Sequence, residues 1–255
     1  MNYNKINNRI QNFVIGDPIL PGDGGDLGGG TETVDFDVPE NYYLEKDKYI
    51  ENSCGSSNIQ RINIRTAKLY STQHIHSVSG NRLPFSLTLT HNPYFKDKLA
   101  VFNDDSQSYT LGVLPFKGWK FNYQQYVRKK DGKYYYYDGD FMLHVFEKCQ
   151  NSSCDYYDST GQTGMILSEI SESGIINEIV ITDGKNAKLS FSARGDLIKI
   201  TEKKGSTATE ALISYDASYR ISTVTDGAGR VYTFNYESNK IILTQTNLDS
   251  PQNIA

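Results

Sequence analysis

The chain has 255 residues and a formal charge of −4, from 26 basic and 30 acidic side chains. That length suits one large domain or two small ones, and no apolar run approaches the ~20 residues that a membrane-spanning helix needs. The acidic balance leaves no basic surface of the kind that binds nucleic acid. The 19 Tyr and 11 Phe, against one Trp and three Met, favour strands, because aromatic side chains fit a pleated sheet. We therefore expect an all-β protein.

The first part of the chain, residues 1–58, differs from the rest. Residues 16–30, GDPILPGDGGDLGGG, are rich in glycine and have no apolar period, which predicts a linker or a poorly ordered segment. Asp23 and Asp26 do not recur at the fixed period of a calcium-binding repeat, so a solvated linker is the preferred interpretation. The opening MNYNKINNRI lacks the apolar core of a signal peptide.

Residues 59–175 are predicted to form a β-rich region that precedes the repeats. Phe85, Leu87 and Leu89 alternate with polar residues, as in a half-buried strand, and Trp119 heads a second alternating run and is expected in the core. Asp-Gly pairs at 131–132 and 138–139 predict hairpin turns that fold residues 123–147 into a three-stranded meander. No convincing amphipathic helix is found; the best candidate, residues 165–172, is weak.

Residues 176–255 contain three similar segments: LSFSARGDLIKIT (189–201), ISYDASYRISTVT (213–225) and YTFNYESNKIILT (232–244). Each begins with an apolar residue, Ser or Thr, and an aromatic residue, and each ends with an aliphatic residue and Thr. The aromatic residue precedes that Thr by the same spacing in all three copies; these residues are Phe191, Tyr215 and Phe234, followed by Thr201, Thr225 and Thr244. Each unit is predicted to be a hairpin of two strands joined by a polar turn.

One hairpin alone is marginally stable in water, so the units must pair edge to edge in a continuing sheet. The last unit would then leave an open edge unless another segment covers it. The sequence carries no capping signature after the third copy, and we expect the natural protein to continue beyond Ala255.

The repeats resemble the YD repeat of the RHS (rearrangement hotspot) family. Tyr215 and Asp216 form the eponymous pair within YDASYRISTVTDGAGRVYTFNY (215–236), and the other copies carry Phe-Ser and Phe-Asn instead. Upstream stretches are similar to those that precede the repeats in bacterial RHS and wall-associated proteins, and they come in the same order: NRLPFSLTLTHN, KGWKFNYQQ, DGKYYYYDGDFMLHVFEK and YYDSTGQTGMIL.

The resemblance implies a meander of antiparallel hairpins that continues into a spiral β-sheet, which in the family can close into a shell around a C-terminal toxin. This chain would then be a non-catalytic, structural part of a larger secreted or cell-surface bacterial protein of the toxin-carrying or intercellular-competition type. Its partners would be further repeats and a C-terminal domain of its own chain. No cofactor, nucleic-acid partner or membrane span is expected.

The tyrosine run Tyr134, Tyr135, Tyr136 and Tyr137 supports an alternative function, a surface β-domain that binds carbohydrate or a partner protein. On a strand the four rings alternate between the two faces, so one pair is expected to pack and the other to be exposed. Exposed tyrosine rings can stack on sugars. Plain strand propensity together with cross-strand pairing is the preferred explanation of the run.

Other polar groups give weaker signals of catalysis or metal binding. His74 and His76 would share one strand face and could supply two metal ligands, and His144, Cys149 and Cys154 lack a fourth zinc ligand. Asp138, Asp140 and Glu147 could serve as a general acid and base, but turn capping explains the two aspartates. We predict no catalytic and no metal-binding residue.

The three cysteines are too few for a disulfide framework. Cys149 and Cys154 are close enough in sequence for a local bridge that would leave Cys54 free. The preferred interpretation is that all three are ordinary thiols, because the chain contains so few cysteines.

Overall fold

The structure is a computed structural model that describes fourteen segments of the chain, with gaps between them. They are residues 11–15, 49–54, 58–63, 69–80, 82–91, 101–103, 108–110, 118–140, 142–150, 154–159, 164–183, 187–204, 206–238 and 240–246. The glycine-rich stretch 16–30, with Asp23 and Asp26, lies outside them, and so does the side chain of Cys54.

All regular elements of the described residues are β-strands, and every strand pairing is antiparallel, which confirms the predicted all-β class. In chain order the strands are β1 (Gln11–Ile15), β2 (Tyr49–Cys54), β3 (Asn58–Asn63), β4 (Leu69–Ser77), β5 (Ser86–His91), β6 (Val101–Asn103), β7 (Ser108–Thr110), β8 (Trp119–Phe121), β9 (Tyr126–Lys130), β10 (Lys133–Tyr137), β11 (Leu143–Lys148), β12 (Tyr156–Asp158), β13 (Ile166–Glu172), β14 (Ile175–Thr182), β15 (Ala187–Ser192), β16 (Leu197–Lys204), β17 (Thr207–Tyr215), β18 (Ile221–Thr225), β19 (Val231–Tyr236) and β20 (Ile241–Thr246).

Thirteen strands form one sheet, in which β9 to β20 follow each other in chain order and β1 lies beyond β20. A second sheet has the order β2-β3-β4-β5-β8, and β6 pairs only with β7 among the described strands. The large sheet continues without interruption across the predicted boundary between residues 175 and 176. The pre-repeat region and the repeats therefore differ in sequence pattern but share one sheet.

Several local predictions are confirmed. Phe85, Leu87 and Leu89 are fully buried and Trp119 belongs to the core, as the alternation of apolar residues indicated. The Asp131-Gly132 and Asp138-Gly139 turns join β9, β10 and β11 into the predicted meander. The weak helical candidate at 165–172 does not form a helix. Its residues lie in or next to β13, which pairs with β14 through Leu167, Glu169 and their neighbours.

The large sheet curls strongly. The rings of Tyr136 on β10 and Phe191 on β15 meet edge to face with centroids 5.7 Å apart. Five strand spacings separate these two strands, which is roughly 24 Å in a flat sheet. The contact is possible only because the sheet bends round and brings their inner faces together.

The second sheet packs on the inner face of the repeats. Phe85, just before β5, stacks on Tyr232 of β19 with ring centroids 3.7 Å apart and planes 9° apart. Phe121 of β8 meets Phe234 at 5.4 Å. The backbone N–H of Gly227 donates to the carbonyl of Leu83 at 3.1 Å. Together these contacts place one continuous apolar core between the two sheets.

The amino-terminal part of the chain contributes strands to both sheets. β1 and β2 lie within residues 1–58, for which a linker or poorly ordered segment was expected. β1 pairs antiparallel with β20, from Gln11 opposite Gln245 to Ile15 opposite Ile241. The expectation of an uncovered edge after the third repeat is therefore wrong, because a segment from the opposite end of the sequence covers it.

Candidate functional site

A five-residue turn recurs along the large sheet and is the unit from which its hairpins are built. In two copies an Asp carboxylate accepts the backbone N–H groups two and four residues later, and an Arg four residues later donates its Nε to the same carboxylate. In the first, Asp216 Oδ1 accepts from Ser218 and Arg220 at 2.8 and 2.9 Å, and Arg220 Nε lies 2.8 Å from Oδ2. Asp226 and Arg230 repeat this arrangement.

The same turn occurs without the arginine at three earlier positions. Asp138 accepts from the N–H groups of Asp140 and Met142, Asp183 from that of Ala187, and the Ser192 hydroxyl from that of Asp196. In all of these turns the backbone N–H of the first residue donates to the carbonyl of the fifth. The structural repeat therefore begins well before the three copies that the sequence revealed, and Asp138 is a turn-capping residue, as its Asp-Gly context suggested.

Tyrosine hydroxyl groups link each repeat to the one before it. Tyr215 donates to the carbonyl of Leu197 at 2.8 Å, and Tyr236 donates to the carbonyl of Ile221 at 2.9 Å. Burial raises the pKa of both phenols, which keeps the donating proton in place. The Arg220 guanidinium also stacks over the Tyr236 ring at 4.4 Å.

These hydrogen bonds correct the alignment of the third copy. Leu197 opposes Phe191, Ile221 opposes Tyr215, and Ile241 opposes Tyr236. Tyr236 is therefore the structural counterpart of Tyr215, and Phe234, proposed from the sequence for that role, stands two residues earlier. Phe234 is nevertheless a buried core residue, as is Phe191. The three repeat threonines, Thr201, Thr225 and Thr244, are half-buried strand residues.

A closure site joins the free edge of β9 to the turn between β15 and β16; we define it as residues 125–128 and 194–197. The backbone N–H of Val127 donates to the Gly195 carbonyl at 2.8 Å, and that of Leu197 donates to the Gln125 carbonyl at 3.1 Å. A β-bridge between Tyr126 and Asp196 lies between these two bonds. The first strand of the curled sheet is thus hydrogen-bonded to a hairpin seven strands further on.

Arg128 holds the closure site together from inside. Its side chain is 2% exposed. One guanidinium nitrogen donates to the carbonyls of Val127 and Arg194, and the other contacts Asp196 at 2.8 Å. A buried guanidinium is stable only when its donors are engaged in this way. Gly195 makes the approach possible: its φ is +88°, and a Cβ there would lie 1.9 Å from the Val127 carbonyl oxygen.

A second cluster of buried polar groups lies beside the β10–β11 turn. His144 Nε2 is 3.0 Å from Asp138 Oδ2, and its Nδ1 is 3.4 Å from Asp158 Oδ2. Because carboxylates only accept hydrogen bonds, this arrangement fits an imidazolium ring with a proton on each nitrogen. Its stacking on the Tyr136 ring at 5.3 Å fixes the plane of the ring. Both ring nitrogens of His144 therefore have a carboxylate partner.

Lys120 completes the charge balance of this cluster. Only 3% of the Lys120 residue is exposed. Its ammonium group donates hydrogen bonds to the backbone carbonyls of Asp138 and Gly139. Burial lowers the pKa of Lys120 to about 8, although Asp138 and Asp140 oppose the shift. Burial would raise the pKa of Asp138, but its hydrogen bond to His144 and the charges of His144 and Lys120 bring it below the ordinary value.

The tyrosine run does not present an exposed pair of rings, so that expectation is wrong. Tyr134, Tyr136 and Tyr137 are buried and Tyr135 is half-buried. The Tyr136 hydroxyl donates to Gln125 at 2.6 Å, and the Tyr137 ring packs on Tyr126 at 5.4 Å. Three of the four rings are therefore committed to the core and unavailable for stacking on a sugar.

The Tyr134 ring instead packs beside a half-buried ion pair. Lys129 contacts Glu169 at 2.8 Å, and its ammonium group lies 5.1 and 5.7 Å from the ring centroids of Tyr134 and Tyr156. Both phenols also donate to Glu169. Partial burial would raise the pKa of Glu169, but its bonds to Lys129 and Tyr134 lower it. Glu147, a proposed acid or base, instead pairs with Lys133 at the surface.

The sequence patterns that suggested metal binding are not assembled into a site. A bulge in β4 between His74 and His76 places them opposite Thr88 and Leu87, successive residues of β5. Successive strand residues face opposite ways, so the expectation that both imidazoles share a face is wrong. Cys149 and Cys154 form a disulfide with Cα atoms 5.8 Å apart. Among the described residues no three His, Cys, Asp or Glu side chains gather as metal ligands.

No protein-family model matches this chain. No curated protein and no solved structure is significantly similar to it. Within the described segments no helix has the length and apolar character needed to cross a membrane.

Proposed function

We propose that this chain is a non-catalytic wall segment of a larger RHS-like secreted or cell-surface protein of the toxin-carrying or intercellular-competition type. The observation that carries the proposal is the closure site, because a sheet whose first strand bonds to a hairpin seven strands later is curved enough to surround a volume. The recurrent Asp turn supports it further. Each copy ends one hairpin in the same geometry, so a further hairpin that takes the place of β1 beside β20 would continue the same curve.

The polar clusters also favour a structural role. An enzyme needs a group that is free to transfer a proton or attack a substrate. Here His144, Asp138 and Lys120 engage one another or backbone carbonyls inside the wall, and Lys129 and Glu169 engage each other. Their contacts neutralise buried charge where the sheet bends. The disulfide between Cys149 and Cys154 supports a secreted or surface location, since such bonds persist in oxidising compartments.

The carbohydrate-binding alternative has less support. It requires exposed tyrosine rings between residues 134 and 137, and three of the four are buried. Partners of the wall segment are instead the remaining repeats and the C-terminal domain of the same polypeptide.

The coding DNA downstream of codon 255 tests the proposal. Further units of about 19–24 residues with Asp-x-x-x-Arg turns, followed by an unrelated C-terminal region, are expected if short hairpins continue the sheet. A stop codon directly after codon 255 would contradict the proposal.

A second test uses the complete gene product. Its C-terminal region should resist protease while the wall is intact and become sensitive when Gly195 is replaced by Val, which opens the closure site. Gly174→Val is the matched control: Gly174 has a similar φ of +80°, but a Cβ there meets nothing within 4 Å. Equal protease sensitivity of the C-terminal region in both variants would argue against an enclosing wall.

A further inference from the structure

The pairing of β1 with β20 joins two segments that are far apart in the sequence. β1 covers the backbone edge of the last repeat strand, with Asn12 opposite Thr244 and Phe13 opposite Leu243. Leu243 and Ile241 of β20 are fully buried, so β20 contributes side chains to the core. Its uncovered edge would present a row of backbone donors and acceptors that any complementary strand could use.

The connection between β1 and the rest of the structure is long. Residues 16–48 separate β1 from β2 in the sequence, and about 33 residues can reach up to roughly 110 Å when extended. A connection of that length does not dictate whether β1 pairs with β20 of its own chain or of a neighbouring chain. The pairing itself is identical in both cases.

We propose that the β20 edge is an acceptor site for β1 of a second copy of this chain, so that two chains exchange β1 and form a dimer. The segment that fits the edge is present on every copy, which identifies the partner. Reciprocal exchange keeps every strand pairing and only changes which chain supplies it. The equilibrium between monomer and exchanged dimer therefore depends on the protein concentration. The dimer becomes significant when that concentration approaches the effective concentration of the tethered β1, on the order of 1 mM.

This inference goes beyond the proposed wall function and does not depend on it. The closure site at the other end of the sheet is unaffected.

A mixture of two chains, each with one added cysteine beside the Cys149–Cys154 disulfide, tests the exchange. One chain carries Asn12→Cys, and a second, with a larger affinity tag, carries Thr244→Cys; both carry Cys54→Ser. The two are unfolded together, refolded at 1 µM or 0.5 mM, oxidised with copper phenanthroline and run on a non-reducing gel. The disulfide between the two chains can form only if β1 of one pairs with β20 of the other, because register partners lie within bonding distance.

For an equimolar mixture we expect the mixed dimer to rise from below about 1% at 1 µM to roughly a fifth of the protein at 0.5 mM, given a tether concentration near 1 mM. The control replaces Thr244→Cys with Thr223→Cys, on the interior strand β18, which already pairs with β17 and β19. That pair should give no more than background dimer. An equal yield from both combinations, or no mixed dimer at 0.5 mM, overturns the proposal.

The unsubstituted chain gives a measurement that does not depend on the variants folding. After refolding at 0.5 mM and rapid dilution, its mass distribution should contain a dimer that decays to monomer on prolonged incubation. Val14→Pro, which removes a backbone donor from β1, should reduce that dimer at least fivefold. A dimer unaffected by Val14→Pro would show that another surface joins the chains and would overturn the exchange.

Discussion

The two halves of the large sheet are held together in different ways. In the repeats, β15 to β20, each hairpin bonds mainly to its neighbour, through Asp–Arg turns and tyrosine hydroxyl groups that recur from copy to copy. In the meander and the strands that follow it, β9 to β13, each of the main side-chain contacts occurs only once. These contacts connect parts of the chain that are far apart in sequence. The hydrogen bond from Arg128 to Asp196 spans 68 residues.

The difference shows how a periodic sheet acquires a closed shape. Nearest-neighbour contacts set the curvature of each step, but they do not fix where the sheet contacts itself. That is decided by the closure site, where β9 contacts the β15–β16 turn. The buried charges of His144 and Arg128 occur in the non-repetitive half and that of Lys120 on β8 of the second sheet, where each polar group needs its own partner.

The closure site should give the largest effect in stability measurements. Gly195→Ala forces a Cβ into the Val127 carbonyl and a positive φ on an L-residue, so we expect a loss of about 4 kcal/mol or more in the free energy of unfolding. Urea titration measures it. Gly174→Ala, with similar φ but open space, should lose only about 1–2 kcal/mol. Equal losses would mean that the backbone contact at Gly195 contributes nothing.

The inner face of the repeats should give the next largest effect. Phe234→Ala removes a buried ring that packs on Phe121 and should destabilise the protein by about 3–4 kcal/mol. Leu212→Ala on β17 is the matched control, because Leu212 is 48% exposed and its truncation should change stability by under about 1 kcal/mol. A loss below that value for Phe234→Ala would argue against the packing of the second sheet on β19.

Because Lys120 is buried, we expect the free energy of unfolding to increase as the pH rises into the alkaline range. The pKa of Lys120 is lowered to about 8, whereas in the unfolded chain it returns to about 10.4. Between these values the unfolded state binds more protons, so this group makes stability rise with pH, by about 2 kcal/mol from pH 7 to 9.5. Urea midpoints across that range measure the gain, and Lys120→Met should abolish it. A Lys120→Met chain with an undiminished rise would assign the effect to another group.

The tyrosine links between repeats should give the smallest effect. Tyr215→Phe removes the hydrogen bond to the Leu197 carbonyl and should lower the free energy of unfolding by about 1 kcal/mol. Tyr236→Phe should behave alike, since its hydroxyl makes the equivalent bond to Ile221. Tyr219→Phe, at a half-exposed ring, should stay within about 0.5 kcal/mol of the unaltered chain. If all three variants match, the hydroxyl groups do not link the repeats.

The sequence by itself determined the all-β class, several of the strands and the hairpin turns of the meander. Alternation at Phe85, Leu87 and Leu89 identified β5 and its buried face, and the Asp-Gly pairs located the turns of the meander. These features depend on residues within a few positions of each other, because strand period and turn geometry are local. The repeat was visible for the same reason, although Tyr236 was hidden by the aromatic Phe234 two residues before it.

The tertiary structure alone decided which groups meet. Arg128 and Asp196, Lys120 and the Asp138 carbonyl, and β1 and β20 are far apart in the chain, and no local pattern links them. A tyrosine run has the same sequence whether its rings are buried or exposed, so the burial of Tyr134, Tyr136 and Tyr137 depended on the curl of the sheet. Strand propensity acts over a few residues, whereas closure depends on the summed twist and bend of many strands.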